Sequence, residues 1–190
     1  MKYYLELTIL PSSEINGNFL LSKVFQKIHF LFVNQKEEDG LSNVGISFPE
    51  YNKESLGLGS KIRFFAETSE RLEALKLKEV LGIFKDYIYI TKVRTVPNQT
   101  KYCCFSRKQK KTGIFALAKR KAKRKEIEFE RALKDYQSFE PDLLKLPFVN
   151  MLSSSSNQQY KLFIQKKESE EVGGKFNTYG LSFHSTVPDF

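Results

Sequence analysis

Few side chains in this sequence have the chemistry of a nucleophile, a metal ligand or a general base. Two adjacent cysteines, Cys103 and Cys104, cannot staple a fold, and two histidines are too few for a multi-histidine zinc site. No carboxylate cluster has metal-ligand spacing. The GxxxxGKS/T phosphate loop, a GxGxxG run opening a helix and the G-x-S-x-G nucleophile elbow are also missing. His29 is the candidate that remains. Apolar residues around it recur at helical spacing, with Leu20, Val24, Ile28 and Leu31 on one face. At 100° per residue His29 falls just past the rim of that arc. An imidazole there can rest its ring on a core and turn one nitrogen outward. Its ordinary pKa near neutrality suits proton transfer. A rim-of-core histidine without chemistry fits the same position.

One base suffices only if the substrate carries its own nucleophile. RNA does, because the 2′-hydroxyl sits beside the phosphate to be cut, so attack is intramolecular and a metal is dispensable. The charge distribution agrees with such a substrate. The formal net charge is +9, and Tyr87 to Lys125 holds 13 Lys/Arg with no Asp or Glu, leaving 18 basic against 22 acidic side chains elsewhere. One segment therefore supplies the whole cationic excess. That concentration points to a polyanionic partner, either nucleic acid or an anionic membrane surface. A solvated basic face without a partner is the bland alternative.

The elements that must hold these residues can be read from the apolar pattern. The 190 residues are 41% apolar, with 17 Phe and 9 Tyr, which is a packing composition rather than a disordered one. No apolar run reaches the ~18–20 residues of a membrane helix, and the start Met1-Lys2-Tyr3-Tyr4-Leu5 is unlike a signal peptide. A soluble, cytoplasmic protein is expected. Tyr3 to Leu10 alternates as a strand, Phe19 to Val33 is helical, and Val44 to Phe48 and Lys61 to Ala66 are short strands. Thr68-Ser69-Glu70 starts a second helix running towards Val80, and Tyr87 to Val93 is a further strand. This β-α-β-β-α-β order fits a ferredoxin-like domain over residues 1–94.

Residues 95–190 are expected to form a second, smaller part. A basic linker carries the cysteine pair, exposed. A long helix follows from about Ile114 to Gln137, with Lys119, Lys123, Lys134, Arg120, Arg131 and Arg124 on one stripe and Phe115, Ala122, Phe129 and Leu133 behind it. Such a helix can dock by its apolar back and offer its cations to phosphates. Membrane-surface helices share the pattern, but no lipidation motif supports that use. Phe148 to Leu152, Gln159 to Gln165 and Asn177 to Phe183 read as strands, and Ser153 to Asn157 as a polar loop. The expected class is α+β: an N-terminal ferredoxin-like domain, then a basic helix and a small β-rich unit.

Residues along nearly the whole chain carry a resemblance to a known family. They are Tyr4-Leu5-Glu6-Leu7, the helix with His29, Val44-Gly45-Ile46-Ser47-Phe48-Pro49, Leu58-Gly59 and Ser106-Arg107-Lys108-Gln109. The basic helix, Leu146-Pro147-Phe148-Val149, the serine run and Thr178-Tyr179-Gly180-Leu181-Ser182 complete them. In order and spacing they resemble the CRISPR repeat-RNA endoribonucleases of type I-F (Ypest-type) systems. These cut a precursor transcript beside each repeat hairpin.

The resemblance implies roles by position. His29 would activate the 2′-hydroxyl, Ser153 would hold that ribose, and Tyr179 would stand beside the histidine, giving a 2′,3′-cyclic phosphate and a 5′-hydroxyl. Ser153, Ser154 and Ser155 are adjacent candidates for the ribose contact. Arg107 and Gln109 would read base edges at the foot of the stem, and Tyr160, with Ser155 close by, would stack near the hairpin base. The basic helix would enter the hairpin's major groove. Family helices are richer in arginine, so Arg120 and Arg124 are the better candidates for bidentate contacts, and Lys119 and Lys123 for phosphates. No cofactor or metal is implied. The implied partners are the repeat hairpin RNA and the other subunits of a type I-F surveillance complex, not a membrane. A catalytically silent hairpin-binding subunit, or a general nucleic-acid-binding protein, is the alternative.

Overall fold

Alternation builds the first strand. In β1 (Tyr3–Ile9) Leu5, Leu7 and Ile9 are buried, while the residues between them are half-exposed. The computed structural model describes residues 1–98, 100–109, 113–136, 144–154 and 156–190. They form two compact units, Met1–Lys108 with Leu146–Phe190, and Gln109–Lys145. The 94/95 boundary expected from the sequence lies within the first.

The first unit contains two antiparallel sheets. One has the order β2-β3-β1-β4, built from β2 (Gly45–Ser47), β3 (Lys61–Ala66) and β4 (Ile88–Ile90); β5 (Arg94–Thr95) also pairs with β1. Helix α1 (Gly17–Gln35) is started by the Asn16 side chain, which accepts from the backbone N–H groups of Asn18 and Phe19. Its buried face carries Leu20, Leu21, Val24, Phe25, Ile28, Leu31 and Phe32. Thr68 caps α2 (Ser69–Glu73), as its hydroxyl suits. The single second helix expected through Val80 is interrupted: Lys76 adopts a left-handed φ of 47°, and a new turn of helix, α3 (Leu77–Val80), follows.

The second sheet has the order β7-β8-β6-β9, from β6 (Lys101–Lys108), β7 (Phe148–Leu152), β8 (Gln159–Ser169) and β9 (Val187–Asp189). It corrects three expectations. The presumed linker is an eight-residue strand, and Cys103 and Cys104 are buried within it rather than exposed. Cationic residues at its ends conceal the run Cys103 to Ser106, which is buried. Burial pushes the Cys103 thiol up to about 12 and raises Cys104 as well, so neither is a ready thiolate. Asn177 to Phe183 is a turn-rich loop, not a strand, and the last strand is β9, which contains Pro188 on the sheet's edge.

One hydrophobic core joins the two sheets and α1. Phe105 of β6 meets Phe48 with ring centroids 5.6 Å apart, and the Tyr51 hydroxyl donates to the Ile164 carbonyl at 3.2 Å. Phe25, Phe48, Phe64 and Phe65 are fully buried, and each such side chain contributes about 1.5–3 kcal/mol of transfer free energy.

The second unit is a helix pair, α4 (Ile114–Lys125) and α5 (Phe129–Lys134). This corrects the single helix to Gln137, a residue that lies outside the described ones. Glu126 takes a left-handed φ of 53° and caps α4, and Glu128 is extended. Phe115 and Phe129 stack, Ala118 and Ala132 are buried, and Lys121 pairs with Asp135 at 2.6 Å. The stripe of six cations therefore divides. Lys119, Arg120, Lys123 and Arg124 remain exposed together on α4, whereas Arg131 and Lys134 belong to α5. Among the described residues no helix is long and apolar enough to cross a membrane.

Candidate active site

Helix α1 turns its apolar stripe inward, which leaves His29 half-buried at the edge of that stripe. The loop from Asn177 to Leu181 closes over it. Asn177 shapes this loop: its side-chain oxygen accepts from the N–H groups of Tyr179 and Leu181, and its carbonyl accepts from Gly180 N–H. Gly180 is required twice over. Its φ is +70°, and a Cβ there would lie 2.7 Å from Ile46 Cγ1, where the loop presses on β2 and the Ile46 N–H donates to the Gly180 carbonyl.

The seated loop presents two groups to the imidazole. The Thr178 carbonyl oxygen lies 2.8 Å from Nδ1, and the Tyr179 ring stacks on His29 with centroids 4.1 Å apart and planes 8° from parallel. Tyr160 of β8 holds the far end of Tyr179, with the two hydroxyls 2.8 Å apart. The Arg107 guanidinium, on β6, lies 5.6 Å from the Tyr179 ring centre and 5.8 Å from that of Tyr160.

The electrostatics follow from this packing. Burial lowers the His29 pKa from its ordinary value. The bond to Thr178 pulls the other way, and the Arg107 charge adds to the lowering. The imidazole is thus held neutral at neutral pH. Burial, then the bond and the charge of Tyr179, push the Tyr160 phenol up, so it stays protonated and able to donate.

Ser153 is half-exposed in the loop between β7 and β8. Its hydroxyl accepts from Ser156 N–H at 3.3 Å, and its N–H donates to the Gln158 carbonyl. Helix α1 ties down the approach to this loop. Gln26 Nε2 donates to the Leu152 carbonyl at 3.1 Å, and the Leu152 N–H donates to Gln26 Oε1 at 2.8 Å. Ser22 accepts from Asn150 N–H, so two side chains of α1 satisfy the outer edge of β7.

Of the residues singled out from the sequence, His29, Tyr179, Tyr160 and Arg107 form one connected cluster in the first unit. Ser153 belongs to the same unit, on the loop that follows Leu152. Gln109, exposed, and the α4 cations belong to the second unit, and Ser155 lies outside the described residues. Sequence reasoning assigned no role to Thr178, whose carbonyl oxygen meets His29 Nδ1, or to Gln26. The signal for Gln26 was a polar residue one helical turn before His29. Among the described residues no three His, Cys, Asp or Glu side chains form a group that could hold a metal ion.

The fold and the cluster together define an α+β protein with an imidazole, two tyrosines and an arginine gathered at one surface, and with a separate cationic helix. The chain belongs to the family described as CRISPR-associated protein (Cas_Csy4), whose model matches residues 4–190. It is 31% identical over 192 residues to the CRISPR-associated endonuclease Cas6/Csy4 of Escherichia coli (strain UTI89 / UPEC), covering 100% of both chains. It is 32% identical over 193 residues to the protein of the same description from Pseudomonas aeruginosa (strain UCBPP-PA14), again over 100% of both. A solved structure described as an RAMP protein binding different RNA substrates aligns over 99% of each chain at 12% identity. Its TM-score of 0.32 is too low to bear on the fold.

Proposed function

We propose that this protein is an endoribonuclease that binds the CRISPR repeat hairpin and cuts the precursor RNA at the 3′ base of the stem without a metal ion. The observation that carries the reading is the bond between His29 Nδ1 and the Thr178 carbonyl. A carbonyl only accepts, so Nδ1 keeps the proton and Nε2 presents a lone pair. The Tyr179 stack holds the ring in that orientation, and burial keeps it unprotonated.

In this mechanism Nε2 takes the proton of the 2′-hydroxyl upstream of the scissile phosphate. The 2′-oxygen bonds to phosphorus, the bond from phosphorus to the 5′-oxygen breaks, and that oxygen leaves with the electron pair and gains a proton through solvent. The products are a 2′,3′-cyclic phosphate and a 5′-hydroxyl. Ser153 holds the ribose, with the Gln26 clamp fixing the start of its loop. Arg107 and Gln109 read the foot of the stem, Tyr160 lies near its base, and Lys119, Arg120, Lys123 and Arg124 meet phosphates.

The strand order β2-β3-β1-β4, with helices between β1 and β2 and between β3 and β4, supports a ferredoxin-like scaffold at 1–94. Residues 95–190 then supply most of the RNA contacts. We place the protein in the cytoplasm, retained on the cut hairpin as a subunit of a type I-F surveillance complex. The test is incubation with the repeat RNA of its own locus in EDTA, followed by mapping of both ends. The expected result is one cut leaving a cyclic phosphate upstream and a hydroxyl downstream. A 3′-hydroxyl with a 5′-phosphate, or bound but uncut RNA, overturns the reading.

A further inference from the structure

A groove of about 320 Å³ runs along the N-terminal half of α1, between it and the edge of the second sheet. Phe19, Lys23, Gln26, Asn150, Leu152 and Gln159 are among its walls, with Ser22 and Met151, and among the described residues no carboxylate lines it. Phe19 is 56% exposed, and the Lys23 ammonium lies over its ring, 5.2 Å from the centre. An exposed aromatic ring, a cation over it and neighbouring amides offer what a single-stranded nucleic acid needs: a ring to stack on, a charge for phosphate, and groups for base edges.

The groove's walls are neighbours in sequence of the candidate active site on both α1 and β7. At 1.5 Å and 100° per residue, Gln26 precedes His29 by about 4.5 Å and Phe19 by about 15 Å along α1, both within about 80° of it around the axis. Leu152, in its wall, immediately precedes Ser153. Arg107 and Tyr160 reach the Tyr179 ring that stacks on His29 from β6 and β8, whereas the groove follows α1 and β7. On the proposed function the hairpin lies 5′ of the scissile phosphate, so the α1 side is left for the strand beyond it.

We propose that this groove is a binding site for single-stranded RNA 3′ of the cleavage point, with Phe19 stacking a base and Lys23 meeting its phosphate. The inference rests on the function proposed above. Such a subsite positions the leaving strand, so that the scissile phosphate is held from both sides.

The test uses two repeat hairpins, both 2′-deoxy at the cleavage nucleotide. One ends at the cleavage point, and the other continues into a short unpaired 3′ tail. The tail should tighten binding to the wild-type protein, and Phe19→Ala should weaken the tailed RNA by roughly 5- to 150-fold, the range for losing one stacked base. Lys23→Ala should weaken it further and reduce the salt dependence, while neither variant alters the tailless hairpin. A tail that adds nothing, or a gain that survives both substitutions, overturns the inference while leaving hairpin binding intact. If the wild-type protein fails to bind even the tailless hairpin, the proposed function fails instead. The free tail strand then tests the groove directly, and affinity indifferent to Phe19→Ala overturns it.

Discussion

The Nδ1 atom of His29 lies 2.8 Å from the backbone oxygen of Thr178, 149 residues away in sequence. Because that oxygen can only accept, the bond fixes the tautomer as well as the ring. It couples the base on α1 to a loop from the far end of the chain, and the loop is itself seated by Gly180 against β2.

Cleavage should rise with pH through a single ionisation whose midpoint lies below 6.5, the ordinary histidine value, and be level by neutrality. The lowered pKa also sets a sign for stability. Below 6.5 the unfolded chain binds the proton more readily than the folded one, so the His29 contribution is complete above that pH. It is lost as pH falls through the folded value. A pH profile of kcat/KM checks the first point; a midpoint above 6.5 would contradict the burial argument.

Gly180→Ala should destabilise the protein by roughly 1–3 kcal/mol, since alanine is strained at positive φ and its Cβ meets Ile46. Cleavage should fall with it, because the Thr178 carbonyl and Tyr179 move. Urea unfolding compared with Gly17→Ala, where a Cβ meets nothing within 4 Å, provides the control.

Gln26→Leu should lower kcat between roughly 10- and 100-fold while leaving hairpin affinity unchanged, because it frees the backbone of Leu152 beside Ser153. Both bonds are solvent-exposed, so water replaces them and folding is little affected. A fall in affinity matching the fall in kcat would argue against a positioning role.

How much of this was legible depended on whether a periodicity survived its surroundings. β1 carries clean alternation and α1 a clean helical stripe, and both, with the short β-rich run of β3, are legible to within a few residues. β6 is hidden because Lys101, Arg107 and Lys108 bracket its packed centre with charge. The break at Glu126 was hidden because 100° spacing continues across it by accident and gathers Arg131 and Lys134 onto a stripe they do not share. At the candidate site, His29 stood out by chemistry alone. Tyr179, Tyr160 and Arg107 were indicated by resemblance, since aromatic and basic residues are common here. The Thr178 carbonyl had no side-chain signal to find.

If Lys119, Arg120, Lys123 and Arg124 meet phosphates, replacing all four with alanine should weaken hairpin binding and flatten its dependence on salt. Every phosphate that is no longer neutralised should lower the slope of log K against log salt by roughly 0.7–0.9. An unchanged slope would return α4 to a solvated face.

The central claim, an imidazole base acting on a nucleophile that the RNA itself carries, is tested most directly by one atom of substrate. Wild-type protein is given two repeat hairpins in EDTA, identical except that one lacks the 2′-hydroxyl just upstream of the scissile phosphate, and His29→Ala is given the intact RNA. All three pairs should bind alike, with only the wild-type protein on the intact RNA cutting at full rate; the variant should be slower by at least about 100-fold. Cleavage of the deoxy RNA, or a His29→Ala rate equal to wild type, would contradict it.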